Sequence, residues 1–562
     1  YDFIVVGGGT AGSVVAARLT ENPNWSVLVL EAGVTNEGVV LSEAPLLVTE
    51  MLTHPIWSWN YSTVVQSGLN GRVIPYQRAH ILGGCSAHNG MFYTRGSADD
   101  FDRYAEVTGD PGWSWDRLLP YFFKNERWTE PADHHDTRGQ FNPLVHSTTG
   151  KTAVSLAGYR WPAGSRVLQT TRELPDEFPF NLDTNSGSPL GVGWLQETIG
   201  GGERSSAATS YLSPEVQQRP NLHILLNARV FKLLANKSID PVTFHGVQFS
   251  HNQSPSLSTV MASKEIVLSG GTIGSAQILM NSGVGNKTDL DGLGIPVLLD
   301  LPSVGQNVSD HCAAVITWAV NSTETTDEIG QNATRMNEAF AEWNSTRTGP
   351  LSTIGITHVG WKRLDMSSDI FRQFKDPSAG PRTPHVELKF SAGALGGAQP
   401  GHFFAINVGA VSPMSRKGVH QAQHQRPTGP PLIDPGLLRS RFDVLTLREG
   451  IKMAQKFVTA PVWKGYIIEQ TTPDLENTTT DSALEQYIRN TGSTSSHLVG
   501  SAGMSARNAG HGVVNPDLLL KGGAGLRVID ASVLPFVPSA HTQAAVYAVA
   551  ERGSQLIKEA WS

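Results

Sequence analysis

Residues 3–12 read FIVVGGGTAG, and this stretch decides the fold of the 562-residue chain. A short apolar run enters three successive glycines, and a fourth follows at Gly12. Such spacing, after a buried strand and before a helix, predicts a loop that holds the pyrophosphate of a dinucleotide. Gly7 permits the tight turn, Gly9 lets the backbone approach phosphate, and Gly12 lets the helix pack closely on the strand.

The helix after this loop begins around Thr10 and Ala11, and its free N–H groups and positive dipole end face an anion. A second apolar strand, 27–30, ends at Glu31, nineteen positions after Gly12. A carboxylate there accepts hydrogen bonds from a ribose hydroxyl, which favours FAD or NAD over NADP. An ordinary glycine-rich turn would not account for Glu31, so the segment predicts dinucleotide binding.

Length and charge limit the class of protein. A chain of 562 residues is long for one domain, so we expect two or more domains. The net charge of −7 predicts binding neither to nucleic acid nor to an anionic membrane. No apolar run approaches the roughly 18 residues that span a bilayer.

Asn-x-Ser/Thr sequons are the signal for the compartment. Ten of them favour a secreted, extracellular glycoprotein with N-linked glycans. They start at Asn24, Asn60, Asn236, Asn252, Asn286, Asn307, Asn321, Asn332, Asn344 and Asn477. The two cysteines, Cys85 and Cys312, can be bridged or free, and their spacing does not decide between these states. No Cys/His pattern predicts a metal site.

The dinucleotide-binding unit is predicted to be discontinuous in sequence. An apolar run at 222–226 and the strand Glu265–Leu268, which enters another glycine turn, form its second part, with a helix at 275–280. A short buried strand at 526–530 and a final helix at 542–557 form its third part.

The stretches between these parts have a different pattern. Apolar and polar residues alternate over 385–390 and again at Phe404, Ile406 and Val408, which predicts half-buried antiparallel strands. The predicted fold class is therefore α/β: a Rossmann-like cofactor domain with a substrate-binding domain built on an antiparallel sheet and helices. The predicted boundaries are 1–100, 201–310 and 498–562 for the cofactor domain, and 101–200 and 311–497 for the substrate domain.

Three further segments carry a family resemblance. They are LGGCSAHNG at 82–90, preceded by Arg78; SGGTIGS at 269–275, running to NSGVG at 281–285; and SHLVG at 496–500 with DAS at 530–532 and HTQ at 541–543. With the opening loop, they resemble the glucose–methanol–choline oxidoreductases, which are FAD enzymes acting on CH–OH donors. The resemblance covers essentially the whole chain and is strongest to fungal pyranose dehydrogenases and aryl-alcohol oxidases. One departure is Ala276, where the family often has proline.

The resemblance implies that His497 and His541 carry the chemistry. Oxidation of an alcohol removes a hydroxyl proton and a hydride, and the hydride goes to flavin N5. A histidine, with an ordinary pKa near 6.5, suits the proton-accepting role. In the resembled family the first histidine is the base and the second hydrogen-bonds the same oxygen. A packed or surface histidine is the plainer alternative for each.

His88 is expected to hold the cofactor covalently. Family members with Gly-Gly-Cys-Ser-x-His-Asn at this place bind FAD through that histidine, at the flavin 8α position. The alternative is a histidine that only packs beside the dimethylbenzene edge.

The resemblance also implies further contacts with the cofactor. Gly83, Gly84 and Cys85 are expected to line the phosphate or the flavin ring, and Asn89 and Gly90 to approach the isoalloxazine. The remaining expected contacts are the Val230 backbone with the adenine, and Asp530, Ala531 and Thr542 with the ribityl–pyrophosphate region.

The substrate is predicted from the residues beside the base. Ser495 and Ser496 precede His497, and small hydroxyls offer room and hydrogen bonds to a polyhydroxylated ring, which favours a sugar. An aryl alcohol is the alternative, since five aromatic residues could line a pocket. They are Phe92, Tyr93, Phe390, Phe403 and Phe404. A hydroxynitrile lyase is a remote third possibility, and the electron acceptor, quinone or O2, is left open.

Overall fold

The structure is a computed structural model that describes residues 1–236, 238, 240–395, 400–420, 429–472, 475 and 480–562. The strands of its main sheets are β1 (Phe3–Val6), β2 (Val27–Leu30), β3 (Gly191–Trp194), β4 (Leu222–Leu225), β5 (Ala228–Asn236), β6 (Val242–His251), β7 (Ser258–Met261), β8 (Glu265–Leu268), β9 (Cys312–Val320), β10 (Ile356–Lys362), β11 (Val386–Ser391), β12 (Phe403–Ala410), β13 (Ile467–Gln470) and β14 (Leu526–Val528). The longer helices are α1 (Thr10–Leu19), α2 (Ala98–Thr108), α3 (Trp115–Asn125), α4 (Pro162–Glu173), α5 (Gly271–Asn281), α6 (Ala333–Thr346), α7 (Arg441–Phe457), α8 (Asp481–Thr491) and α9 (Thr542–Trp561).

A five-stranded parallel sheet forms the centre of the cofactor side, in the order β4–β2–β1–β8–β14. Every pairing between neighbours is parallel, so the carboxyl ends of the strands meet at one edge. The glycine loop after β1, Glu31 after β2 and the turn after β8 therefore lie together. Ligands of open α/β sheets bind outside this edge.

A seven-stranded antiparallel sheet forms the other side, with six strands in the order β13–β9–β12–β11–β10–β3 and the short strand Ser493–Thr494 paired with β9. Val386, Leu388 and Phe390 of β11 point into a core under α7, as the alternation predicts. The other face of β11 is also buried, and it carries Glu387 and Lys389.

The α/β architecture predicted from the sequence is confirmed, with small differences at the ends of elements. β4 ends at Leu225 and β14 at Val528, whereas α5 begins already at Gly271 and α9 continues to Trp561. α9 is longer than predicted because Lys558 and Trp561 anchor its last turn through bonds to Glu21 and Glu265.

The two largest hydrophobic cores of the described residues underlie the two sheets. Phe101, Trp113 and Phe122, around α2 and α3, pack in the core of the parallel sheet, although they fall inside the segment 101–200 that the sequence assigns to the substrate side. The proposed domain boundaries remain a prediction.

Cys85 and Cys312 are both free thiols, so the bridge left open by the sequence is not formed. Within the described residues, no helix is long and apolar enough to cross a membrane.

Candidate active site

The glycine loop after β1 is shaped by close backbone contacts. A Cβ at Gly7 would overlap the Ser269 carbonyl, and a Cβ at Gly12 would overlap the Gly7 carbonyl. Gly7 also has a φ of +100°, which only glycine adopts without strain. Thr10 and Ala11 form the first turn of α1, as predicted.

A second glycine loop closes over the first. The Gly83 N–H donates to the Gly8 carbonyl at 2.8 Å. Gly84 has a φ of +55°, and a Cβ there would lie 2.6 Å from the Gly9 Cα. The backbones of the two loops can therefore lie in contact only because position 84 has no side chain.

Glu31 links the nucleotide-binding segments. Its two carboxylate oxygens accept the Gly8 and Gly33 N–H groups at 2.7 Å each. Burial raises the pKa of this carboxyl, and the two backbone bonds offset the effect in part. The Ala228 N–H donates to the Glu31 carbonyl at 2.8 Å, which brings β5 and Val230 beside it.

Asp530 lies at the N-terminus of α5. Its carboxylate accepts the Gly271 N–H at 2.8 Å, the Ser275 hydroxyl at 2.6 Å and the Ser532 N–H at 2.7 Å. Ala531 begins the short helical turn that follows, and Thr542 is the first residue of α9. Asp530 thus ties three segments of the cofactor side together through its own carboxylate.

His88 is buried in the segment that follows the second glycine loop. It is 3% exposed, and its Nε2 has no hydrogen-bond partner. Burial and the nearby Arg204 charge lower its pKa to about 4, so the ring is neutral at physiological pH. An unpartnered buried nitrogen needs an explanation, and a bond to a ligand would supply one.

Arg204 binds backbone carbonyls of this segment. Its Nη1 donates to the Asn89 carbonyl at 2.7 Å and to the Ser86 carbonyl at 3.2 Å, and its Nε donates to the Ser42 carbonyl at 2.7 Å. The Asn89 amide donates to Gln543 of α9. Asn89, Gly90 and the exposed Cys85 are thereby held on the same side as the start of α9.

His497 and His541 come from separate segments and meet at the site. Their ring centroids lie 4.5 Å apart, with the planes at 73°. His497 is 8% exposed, and burial, followed by the His541 charge, lowers its pKa well below the usual value. The neutral imidazole can therefore accept a proton.

Asp310 and His311 hold His497 in place. The backbone N–H of His497 donates to Asp310 Oδ1 at 2.8 Å. In the side chains, the Nδ1 atoms of His497 and His311 lie 2.9 Å apart. Burial lowers the pKa of His311 to about 3, so one of the two facing nitrogens donates and the other accepts. If His497 donates from Nδ1, its Nε2 keeps a free lone pair.

Glu387 and Phe92 hold His541. The Glu387 Oε1 lies 2.8 Å from His541 Nε2, and the Phe92 ring stacks on the imidazole at 4.1 Å. Burial raises the pKa of Glu387, but the charges of Lys389 and His541 outweigh it and hold the pKa far below its usual range. Glu387 is therefore an anion.

Of the five aromatic residues considered for a substrate pocket, Phe92 contacts a candidate catalytic histidine. Phe390 and Phe404 pack against Phe457 and Trp463 in the core below the antiparallel sheet. These two aromatic rings are structural.

The residue before the base has an unusual backbone. Ser496 is exposed and has a φ of +63°, a conformation that non-glycine residues seldom adopt and that concentrates at functional sites. Its N–H donates to the Thr494 hydroxyl at 2.7 Å. The Ser495 N–H donates to the His311 carbonyl at 2.8 Å. The two residues that precede His497, Ser495 and Ser496, therefore both have small side chains.

Sequence reasoning missed Asp310, His311, Glu387, Lys389 and Arg204. Asp310 and His311 follow a sequon and directly precede β9, and Glu387 and Lys389 form the polar face of a predicted strand. Glu387 and Lys389 could have been found from the sequence, because a glutamate and a lysine two residues apart share one face of a strand.

The comparisons with known proteins agree with this arrangement. Residues 1–313 match the N-terminal and residues 413–550 the C-terminal family model of the GMC oxidoreductases. The chain belongs to the GMC oxidoreductase family, whose members are FAD-dependent enzymes.

Individual relatives cover almost the whole chain. A dehydrogenase of Hericium erinaceus, eriK, is 40% identical over 99% of this chain and 94% of its own length. A pyranose dehydrogenase of Agaricus campestris is 40% identical over 100% of this chain and 94% of its own length. Among solved structures, a fungal aryl-alcohol oxidase is 25% identical, with a TM-score of 0.86 over 100% of this chain and 99% of its own.

The residues present fit FAD. The glycine loop lies at the N-terminus of α1, Glu31 lies where a ribose is expected, and His88 Nε2 is unpartnered. Gly7, Gly9, Gly12 and Glu31 would hold the nucleotide half, and the 83–90 segment with the start of α9 would hold the flavin half.

Proposed function

We propose that this chain is a secreted, FAD-dependent pyranose dehydrogenase. The observation that carries the proposal is the pair His497 and His541, 4.5 Å apart, in a chain 40% identical over its whole length to a pyranose dehydrogenase. When bound, FAD supplies the acceptor for a hydride from the carbon that bears the reacting hydroxyl.

His497 is the general base in this proposal. It donates from Nδ1 to His311 and accepts the substrate hydroxyl proton at Nε2, which the neutral state of both rings permits. The bond from its N–H to Asp310 fixes the backbone that presents the ring. A positioned base of this kind contributes roughly 10²- to 10⁴-fold to the rate.

His541 orients the substrate oxygen. Glu387 binds Nε2 and Phe92 stacks on the ring, so the ring orientation is fixed and Nδ1 is left for the substrate. In the protonated imidazole, Nε2–H donates to the Glu387 carboxylate and Nδ1–H donates to the substrate oxygen. A donor aimed at a developing negative oxygen stabilises the transition state more than the ground state.

In this proposal His88 is the residue that would hold the flavin covalently. Its support is the neutral, unpartnered Nε2 inside the braced 83–90 segment. Precipitation of the holoenzyme with acid tests it: a yellow pellet is expected, and a colourless pellet with yellow supernatant would exclude the bond.

A sugar is the proposed substrate class. Ser495 and Ser496 beside the base, and the absence of Phe390 and Phe404 from the site, support a polar rather than a stacked substrate. An aryl alcohol is the second candidate, because Phe92 stacks on His541 and the chain is similar to an aryl-alcohol oxidase. The electron acceptor in this proposal is a quinone or O2.

Secretion and N-glycosylation belong to the same proposal. Of the nine sequon asparagines that lie within the described residues, eight are exposed, and Asn286 is half-buried. Asn477 lies outside the described residues. Treatment of the fungal-expressed protein with an N-glycosidase is expected to lower its mass by several glycans.

A substrate screen tests the function. The holoenzyme is mixed without oxygen with glucose, other pyranoses and aryl alcohols, and the flavin absorbance is followed. Bleaching by pyranoses is expected. Bleaching by aryl alcohols alone would support the second candidate, and a flavin that no alcohol bleaches would contradict both and favour a lyase.

A further inference from the structure

Lys389 places a buried positive charge behind the second histidine of the site. Its Nζ lies 2.8 Å from Glu387 Oε2, while Glu387 Oε1 lies 2.8 Å from His541 Nε2. The Lys389 and Glu387 side chains are 7% and 1% exposed. One buried carboxylate is therefore shared between an ammonium group and the imidazole of His541.

The antiparallel sheet makes room for this pair and keeps water away from it. Gly409 of β12 lies opposite Glu387, and a Cβ there would touch both Glu387 Oε2 and Lys389 Nζ, at 3.4 and 3.6 Å. On β10, Trp361 lies opposite Glu387 and Val359 opposite Lys389, both in an apolar cluster. Charges interact strongly in such surroundings, and an unpaired one is costly.

The groups around His541 are few. His497 faces it at 4.5 Å, Phe92 stacks on it, and Glu387 binds its Nε2, with His311 and Lys389 behind these neighbours. Burial lowers the pKa of His497 and of His311, so both are neutral. In the part of the chain that the structure describes, the charged groups of this network are Glu387, which binds His541, and Lys389 behind it.

We propose that Lys389 is a positioning residue that, through the carboxylate it shares with His541, sets the pH range over which His541 acts on the substrate oxygen. The ammonium group takes up part of the Glu387 charge and repels a proton on the imidazole. Without it, Glu387 would hold His541 as an imidazolium to higher pH. This inference rests on the proposed function, because it concerns the same pair of histidines.

The experiment measures the pH profile of flavin reduction by a pyranose, without oxygen, in the holoenzyme. In Lys389→Met, the part of the pH profile that depends on protonation of His541 is expected to shift upward by about one pH unit, which is a tenfold change in proton affinity. Glu387→Gln is expected to move it downward, and Lys389→Arg to restore the wild-type profile. Lys362→Met is the matched control, because Lys362 lies at the end of β10 and bonds the Glu177 carbonyl instead.

The double variant Lys389→Met/Glu387→Gln keeps the test decisive if the single lysine variant does not fold. It removes a pair whose charges cancel, and its profile is expected to lie between those of Glu387→Gln and Lys389→Met, because neither charge is left to act on His541. A Lys389→Met profile that superimposes on the wild type, or a double variant whose profile is not shifted upward from that of Glu387→Gln, would overturn the inference.

Failure of the proposed function would look different, because the wild-type flavin would then not be reduced by any alcohol. In that case, NMR titration of the holoenzyme with labelled histidines, and His541 assigned from His541→Asn, measures the same shift without turnover.

Discussion

His497 is surrounded by contacts that fix both its position and its protonation. Asp310 holds its backbone N–H, and His311 faces its Nδ1 at 2.9 Å. Because burial keeps both rings neutral, the position of a single proton between them decides whether Nε2 is free to act as a base. The chemistry at this residue is therefore set by a neighbour that need not touch the substrate.

Replacement of His311 by phenylalanine tests this dependence. The variant keeps a ring in the buried space but removes the Nδ1 acceptor, so we expect flavin reduction to slow by roughly tenfold, the effect of one lost hydrogen bond of about 1.4 kcal/mol. Stopped-flow absorbance under nitrogen measures the limiting rate. His358→Phe is the control, since His358 is also buried but contacts Trp194 and Thr357 instead. A His311 variant as fast as this control would contradict the assignment.

At the scale of the element, the two glycine loops show how backbone shape prepares the cofactor site. An alanine at position 84 would have a strained positive φ, and its Cβ would clash with the Gly9 Cα. No side-chain movement could relieve either effect. A glycine in such a loop cannot be replaced by a residue with a Cβ, whereas a glycine on a helix surface can.

Gly84→Ala is expected to abolish most FAD incorporation while the protein still folds, because the Cβ would lie 2.6 Å from the Gly9 Cα and would displace the loop that is expected to hold the pyrophosphate. The ratio of flavin to protein absorbance in purified protein measures this. Gly274→Ala is the matched control: a Cβ there meets nothing within 4 Å, and alanine suits a helix better than glycine by roughly 0.5–1 kcal/mol. Normal flavin content in Gly84→Ala would contradict the account of the loop.

The sequence predicted the elements whose signals are local. The glycine loop, Glu31 and the strands β1, β2 and β8 follow from short patterns, and the family resemblance supplied His88, His497 and His541. Glu387 and Lys389 were read only as the polar face of a half-buried strand, because period-two alternation does not tell what covers that face. His311 lies 186 positions from His497 in sequence, and their contact exists only in the fold.

At the scale of the whole molecule, buried charge networks join distant segments. His146 binds Glu126 through Nδ1 and Asp183 through Nε2, the latter at 2.7 Å, and Arg95 binds the other side of Glu126. The His146, Glu126 and Asp183 side chains are at most 3% exposed. This network connects the 93–95 segment, which leads to the site, with the loops at 142–146 and 183–185.

The stability of the protein is expected to depend on His146 and on pH. Burial lowers the His146 pKa, but hydrogen bonds and the charges of Asp183 and Glu126 outweigh it, and the pKa is raised. A raised pKa contributes stability that is fully present below the unfolded value of about 6.5 and is lost as pH rises through the folded value. His146→Gln should therefore lower the melting temperature most below pH 6.5, with a smaller difference at alkaline pH.

Thermal unfolding of the wild type and the variant across pH 5–9 measures this difference. The exposed His134, which pairs with Glu130 on the surface, provides the control variant His134→Gln. Exposed pairs contribute little, so its melting temperature should follow the wild type at every pH. A His146→Gln deficit that stays constant, or grows, as pH rises would contradict the assigned charge state.

Anaerobic stopped-flow reduction of the flavin by a pyranose, in the wild type and in His497→Ala, tests the central claim most directly. The account predicts rapid bleaching in the wild type and a rate lower by roughly 10²- to 10⁴-fold in the variant, the range for loss of a general base. The flavin content should be unchanged, because His497 belongs to none of the segments that hold FAD. Near wild-type reduction in His497→Ala would show that another group takes the proton and would contradict the account.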